Sequence, residues 1–231
     1  MLAVVAAAAV TLALGARLLL QARSAAVPGP PDTTLVSAQE RAAGLRFAPS
    51  VAAPDRAWIL AAIGHARPEA RRLIAEVDGM VELRTHRGDP LGVTDSTIGR
   101  RRASFVIDLD VASLDGRRRV DRDVVVLHEL GHAIDGALVS RALGDELDAE
   151  IPRAGYCGAA PEGGTGSCAA PAERFADTFA KWALRGGVSV VGAGYGVAVP
   201  ASLESWGEPL RALADRLPAT GDPAPASATI G

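Results

Sequence analysis

The chain has 231 residues, 24 of them lysine or arginine and 27 aspartate or glutamate, for a formal net charge of −3. Its two basic clusters, Arg100-Arg101-Arg102 and Arg117-Arg118-Arg119, have no interleaved aromatics, so charge and composition argue against a nucleic-acid groove. With 48% hydrophobic residues the chain can bury a core, while 4% aromatic residues make a poor glycan-binding surface.

Taken in order, the chain begins with an apolar stretch, Leu2 to Leu20, broken only by Thr11, Gly15 and Arg17. Small residues at Ser24-Ala25-Ala26 suit cleavage, although no basic run follows Met1. Residues 1–26 are therefore expected to be a signal peptide or an N-terminal membrane anchor. The Pro-rich run Val27 to Thr34 opens a linker expected over 27–45. One domain of about 170 residues follows, over 46–217, large enough for a core of its own.

Pro54 to Val77 reads as helical, with Pro68 dividing it in two. His65, beside that break, is expected to be a surface or capping residue. Met80 to Arg84 alternates like a strand. His86 follows in an expected turn with Gly88-Asp89-Pro90. Ala103 to Asp110 reads as a further strand.

Val124 to Gly136 then reads as a helix carrying His-Glu-x-x-His. Positions four apart share a helix face, so His128 and His132 can turn two imidazoles to one metal ion. Glu129 is placed to act on a water there as general base, the arrangement of zinc hydrolases. Asp121 and Asp123 suit the helix start. The segment is mostly apolar, and unpaired polar groups in a buried helix are costly; a metal supplies their partner.

Catalytic zinc takes three protein ligands. The extended pattern HExxHxxGxxH is excluded, because Asp135 and Leu138 stand where it needs Gly and His. No histidine follows, so a carboxylate is expected. The best placed is Glu173, in a helix opened by Pro171 with Phe175, Phe179 and Trp182 facing the core. Asp177 shares its face and is placed to accept an N–H from a ligand histidine; Asp135 is expected in a similar supporting role. Glu146, Asp148 and Glu150 compete, but read as a solvated loop.

The Gly-rich stretch 144–170 holds the only two cysteines, Cys157 and Cys168, which are expected to pair in an exported chain and to fix the approach to Glu173. Val188 to Val199 reads as a strand or a cleft wall, Ala201 to Leu217 as a closing helix with Trp206, Leu210 and Leu213, and 218–231 as a disordered tail. Leu217-Pro218-Ala219-Thr220-Gly221 matches a cell-wall sorting signal but lacks the apolar span and basic tail that such a signal needs.

HELGHAIDG followed by AERFADTFAKW resembles the gluzincin metallopeptidases, especially their lethal-factor-like branch, over about residues 124–183. The resemblance implies an α+β, zincin-like domain: a small sheet packed on the HExxH helix, and a second helix bearing the third ligand. It implies a zinc-dependent endopeptidase with His128, His132 and Glu173 on Zn2+ and Glu129 as base. That branch tends to carry a tyrosine before the third ligand; here Gly163 to Cys168 has none, which leaves Tyr156 and Tyr195 as oxyanion candidates. By analogy, an edge strand beside the active helix would hold the substrate backbone, a role expected of Phe105 to Leu109. The chain is thus expected to be an exported metalloendopeptidase, secreted or anchored through residues 2–20 on the outer face of the cytoplasmic membrane. It would act on peptide or protein substrates, with a monomer favoured and the oligomeric state left open. The rival expectations are a zinc-stabilised envelope binding protein, which has no need of Glu129, and a cell-wall metallo-amidase.

Overall fold

A strand buried on one face must bury every second residue. In β4 (Ala103–Asp110) these are Phe105, Ile107 and Leu109, and in β2 (Val81–His86) they are Val81 and Leu83. The two strands pair in parallel, from Val81 opposite Phe105 to His86 opposite Asp110. The computed structural model that shows this describes residues 45–77, 79–99, 103–114, 120–153, 166–187 and 196–217. The expected leader, almost all of the linker and the tail lie outside the described residues, as do both arginine clusters, Cys157, Tyr156 and Tyr195.

A short strand, β1 (Arg46–Phe47), pairs in parallel with β2. Parallel neighbours need a crossover. It is supplied by α1 (Ala53–His65) and α2 (Pro68–Glu76), divided at Pro68 as expected. His65 ends α1, exposed, with Nδ1 2.7 Å from Asp123 Oδ2. His86 is the last residue of β2 rather than part of the turn.

β3 (Gly92–Ile98) pairs antiparallel with the free side of β4, giving the order β1-β2-β4-β3. This overturns one expectation. β4 is paired on both sides, so Phe105 to Leu109 has no free backbone to offer a substrate; the edge beside the motif helix is β3. The strand is hard to see in sequence because Thr94 and Ser96 face a cleft rather than the core, so the apolar alternation is missing.

Asp121 caps α3 (Arg122–Leu138): its carboxylate accepts from Asp123 N at 3.2 Å and Val124 N at 3.3 Å. Val124 to Gly131 is buried throughout. α5 (Pro171–Ala183) packs across it, and its Phe175, Phe179 and Trp182 are all buried as expected. At the crossing, a Cβ on Gly131 would lie 2.9 Å from Ala176 Cα. The glycine of HELGH thus lets the two helices touch backbone to backbone.

Between them, Arg141 to Glu150 forms α4, capped by Ser140, and not the solvated loop expected there. Its Asp148 is buried and accepts from Arg174 Nε at 2.6 Å, with Arg153 also paired to it. Residues 196–200 are irregular. The closing helix is two, α6 (Leu203–Trp206) and α7 (Glu208–Arg216). The break falls at Gly207, where a Cβ would stand inside contact distance of the Trp182 indole. The class is α+β as expected. No helix among the described residues is long and apolar enough to cross a membrane.

Candidate metal centre

His128 and His132 stand one turn apart on α3, and Glu173 lies in the first turn of α5. The Gly131–Ala176 crossing brings the two helices close enough for the three side chains to meet. His128 Nε2 is 3.1 Å from Glu173 Oε2, His132 Nε2 is 3.4 Å from the same oxygen, and the two Nε2 atoms are 3.2 Å apart. The imidazoles meet edge to face at 83°. Among the described residues this is a group able to hold a metal ion. A tetrahedral ion with ligand bonds of about 2.0–2.1 Å sets its donors about 3.3 Å apart. The three separations bracket that value, and two imidazole nitrogens with one carboxylate oxygen are a donor set such ions accept.

The charges agree. Burial pushes the Glu173 carboxyl up, but hydrogen bonds and attraction from His128 and His132 outweigh it and hold it down to about 2. Burial pushes His132 down; Glu173, with Glu129 and Asp135 adding, raises it on balance. The cluster therefore presents a carboxylate with both imidazoles turned toward it.

Glu129 is 6% exposed, and its carboxylate lies under β3. Oε2 accepts a hydrogen bond from the Thr94 hydroxyl at 2.7 Å, and the same hydroxyl is 3.1 Å from the Glu129 carbonyl oxygen. A Cβ on Gly92 would lie 2.5 Å from Oε1. The metal group and Glu129 open on a cleft of about 410 Å³ that Thr94, Ser96, Ile98 and Phe105 also line. Ile98 is 65% exposed at one end of it.

Arg174 explains how Glu173 is held in place. It is buried beside Glu173, with its guanidinium filled by Asp148 and by the carbonyls of Asp148, Ile151 and Pro152, so the end of α4 is tied to the first turn of α5. Asp177 is fully buried, but its Oδ2 is bonded to Lys181 Nζ at 2.6 Å and Val197 N at 3.2 Å, not to a ligand histidine. Asp135 lines the cleft one turn beyond His132. Its carboxyl is raised by burial, with His132 offsetting part of the shift, and it makes no hydrogen bond among the described residues. Cys168 ends a short 3-10 turn before α5 and is not a free thiol; the pairing with Cys157, like the roles of Tyr156 and Tyr195, falls outside the described residues.

Of the residues that shape this site, Thr94, Gly92 and Arg174 carried no signal in sequence. A threonine and a glycine in a polar stretch announce nothing, and an arginine next to a ligand reads as solvated until its neighbours are known. No protein-family model matches the chain, and neither a curated protein nor a solved structure is significantly similar to it.

Proposed function

We propose that this chain is a zinc-dependent metallopeptidase with a zincin-like domain. One observation carries the reading: two histidines and a glutamate converge at ligand spacing, with a buried glutamate beside them, on the floor of a cleft walled by a strand edge. His128, His132 and Glu173 would hold the zinc ion, and the HELGH and ERFADTF segments support that choice of metal. Bound there, the ion supplies Lewis acidity and makes water a nucleophile at neutral pH.

The remaining steps belong to the chain. Glu129 takes the proton of the attacking water and returns it to the leaving amine. The outer edge of β3 has no ladder partner among the described residues. Its unpaired N–H and C=O groups suit a peptide laid on as a further strand, which fixes the scissile bond over Glu129. The apolar N-terminal stretch supports an exported location, and the acidic charge balance argues against a nucleic-acid substrate.

The test is cleavage of a mixed peptide library by the purified zinc-loaded chain, with E129Q and a chelator-treated sample alongside. Cleavage that needs both zinc and Glu129 is expected. A folded, zinc-loaded chain that cleaves no peptide overturns the peptidase reading and turns attention to an amidase or a binding module. A chain that binds no zinc overturns the metal site.

A further inference from the structure

We infer that Thr94, together with Gly92, positions the Glu129 carboxylate, so that the edge strand β3 sets both where a substrate would lie and where the base points. The inference rests on the proposed role of Glu129 as base.

The contacts fall on both oxygens of the carboxylate. Glu129 is nearly buried, and its carboxylate meets β3 at two alternate residues of the same strand face. The Thr94 hydroxyl has one proton. It lies 2.7 Å from Oε2 and 3.1 Å from the carbonyl oxygen of Glu129, so it touches both ends of that residue, with the carboxylate as the better acceptor. A contact to backbone and side chain of one residue limits the torsions between them. The other oxygen is covered by strand backbone: a Cβ at Gly92 would lie 2.5 Å from Oε1 and 2.9 Å from both Cγ and Cδ. No side chain fits at position 92 unless the carboxylate moves. Neither residue touches the three metal-holding atoms. Their effect on the reaction passes through Glu129, which makes them positioning residues.

A plain structural tie between β3 and α3 would use the same contacts, so the test must separate the two. Three measurements on the full chain do so: metal affinity, steady-state kinetics on the best peptide from the library, and urea unfolding midpoints of metal-free protein. T94V removes the hydroxyl at nearly constant volume; T94S keeps it. T94V is expected to lower kcat about tenfold to a hundredfold, with KM within about twofold and zinc affinity unchanged. T94S is expected to stay within about threefold of wild type. G92A should lose at least as much kcat as T94V. T94V is also expected to lower the unfolding midpoint more in the wild-type background than in E129A, where the carboxylate is gone and only the contact to the backbone carbonyl of residue 129 is left to lose.

T94V with wild-type kcat, or a T94S enzyme as weak as T94V, overturns the inference. So do additive midpoints in the T94V and E129A backgrounds, a result that needs no activity at all. If wild type itself cleaves nothing, the peptidase reading fails, while the midpoints still decide whether Thr94 and Glu129 are coupled.

Discussion

Replacing Gly131 by alanine tests the idea that one helix crossing builds the site. The new Cβ would lie 2.9 Å from Ala176 Cα and 3.3 Å from both its Cβ and its carbonyl oxygen. Carbon atoms rest at about 3.5–4.0 Å, so the nearest contact is about 0.6 Å or more too short. The obstacle is backbone and cannot rotate away, so α5 must back off α3. Overpacking of this kind costs about 1–3 kcal/mol, and alanine regains about 1 kcal/mol over glycine within a helix. The net loss is expected to be about 0–2 kcal/mol, and the protein should stay folded. The metal group is less tolerant. Glu173 lies three residues before Ala176 and moves with α5, whereas His128 and His132 stay on α3. Metal distances hold to about ±0.2 Å, so a displacement of about 0.5 Å should weaken zinc binding at least tenfold. Competition with a chromophoric chelator measures the affinity and urea unfolding of the metal-free protein measures the stability. Wild-type zinc affinity in folded Gly131→Ala would refute the reasoning, because the crossing would not then set the donor spacing.

Three further outcomes are expected. His86 donates from Nδ1 to Asp108 at 2.9 Å and from Nε2 to the carbonyls of Gly88 and Pro90 at 2.9 and 3.1 Å, which only the imidazolium can do at once. The Asp108 hydrogen bond leads in raising its pKa above 6.5; the stability it adds is therefore present below about pH 6.5 and lost as pH rises through the folded value. Urea midpoints at about pH 5.5 and about pH 8 should differ more in wild type than in H86Q, and equal differences would count against the clamp. R174M should cost about 3–5 kcal/mol, since it leaves the buried Asp148 without its main partner, and it should also weaken zinc binding by loosening Glu173; a stability within about 1 kcal/mol of wild type would show the pair to be incidental. E173Q should reduce zinc affinity more than about a hundredfold, the loss of a metal-holding group exceeding that of a supporting one; unchanged affinity measured by chelator competition would remove Glu173 from the metal group.

The parts legible in sequence are those where one residue type has one physical use. Pro68 and Pro171 mark helix starts, Asp121 a cap, and the alternation of Phe105, Ile107 and Leu109 a buried strand. His128 and His132 follow from helical spacing, and Glu173 from the lack of further histidines downstream together with its place on a core-facing helix opened by Pro171. Other features depend on what lies opposite. Thr94 and Ser96 face a cleft, so β3 lacks the alternation that reveals β4, and the sequence alone points to the wrong strand as the edge. Asp148 is acidic in a polar helix, and only the buried Arg174 across from it makes it structural. Gly207 must be a glycine because of an indole supplied from α5, twenty-five residues earlier in the chain.

The cluster at the centre is better explained by a cation than by its own hydrogen bonds. Three acceptor-capable atoms, two Nε2 and one Oε2, stand within 3.4 Å of one another. If both imidazoles carry a proton on Nε2, each can donate to Glu173, but the two N–H groups then face each other at 3.2 Å. If one is bare, it can accept from the other, but its lone pair then lies 3.1 or 3.4 Å from a carboxylate oxygen with no proton between them. Either proton count leaves one side of the triangle repulsive, and His128, at 4% exposed, has little solvent of its own to relieve it. A cation at the centre turns every side favourable, because all three lone pairs point inward to one charge. The same placement leaves Glu129 outside the triangle, held by β3 and free of the metal group, where a base must stand if it is to take a proton rather than bind the ion.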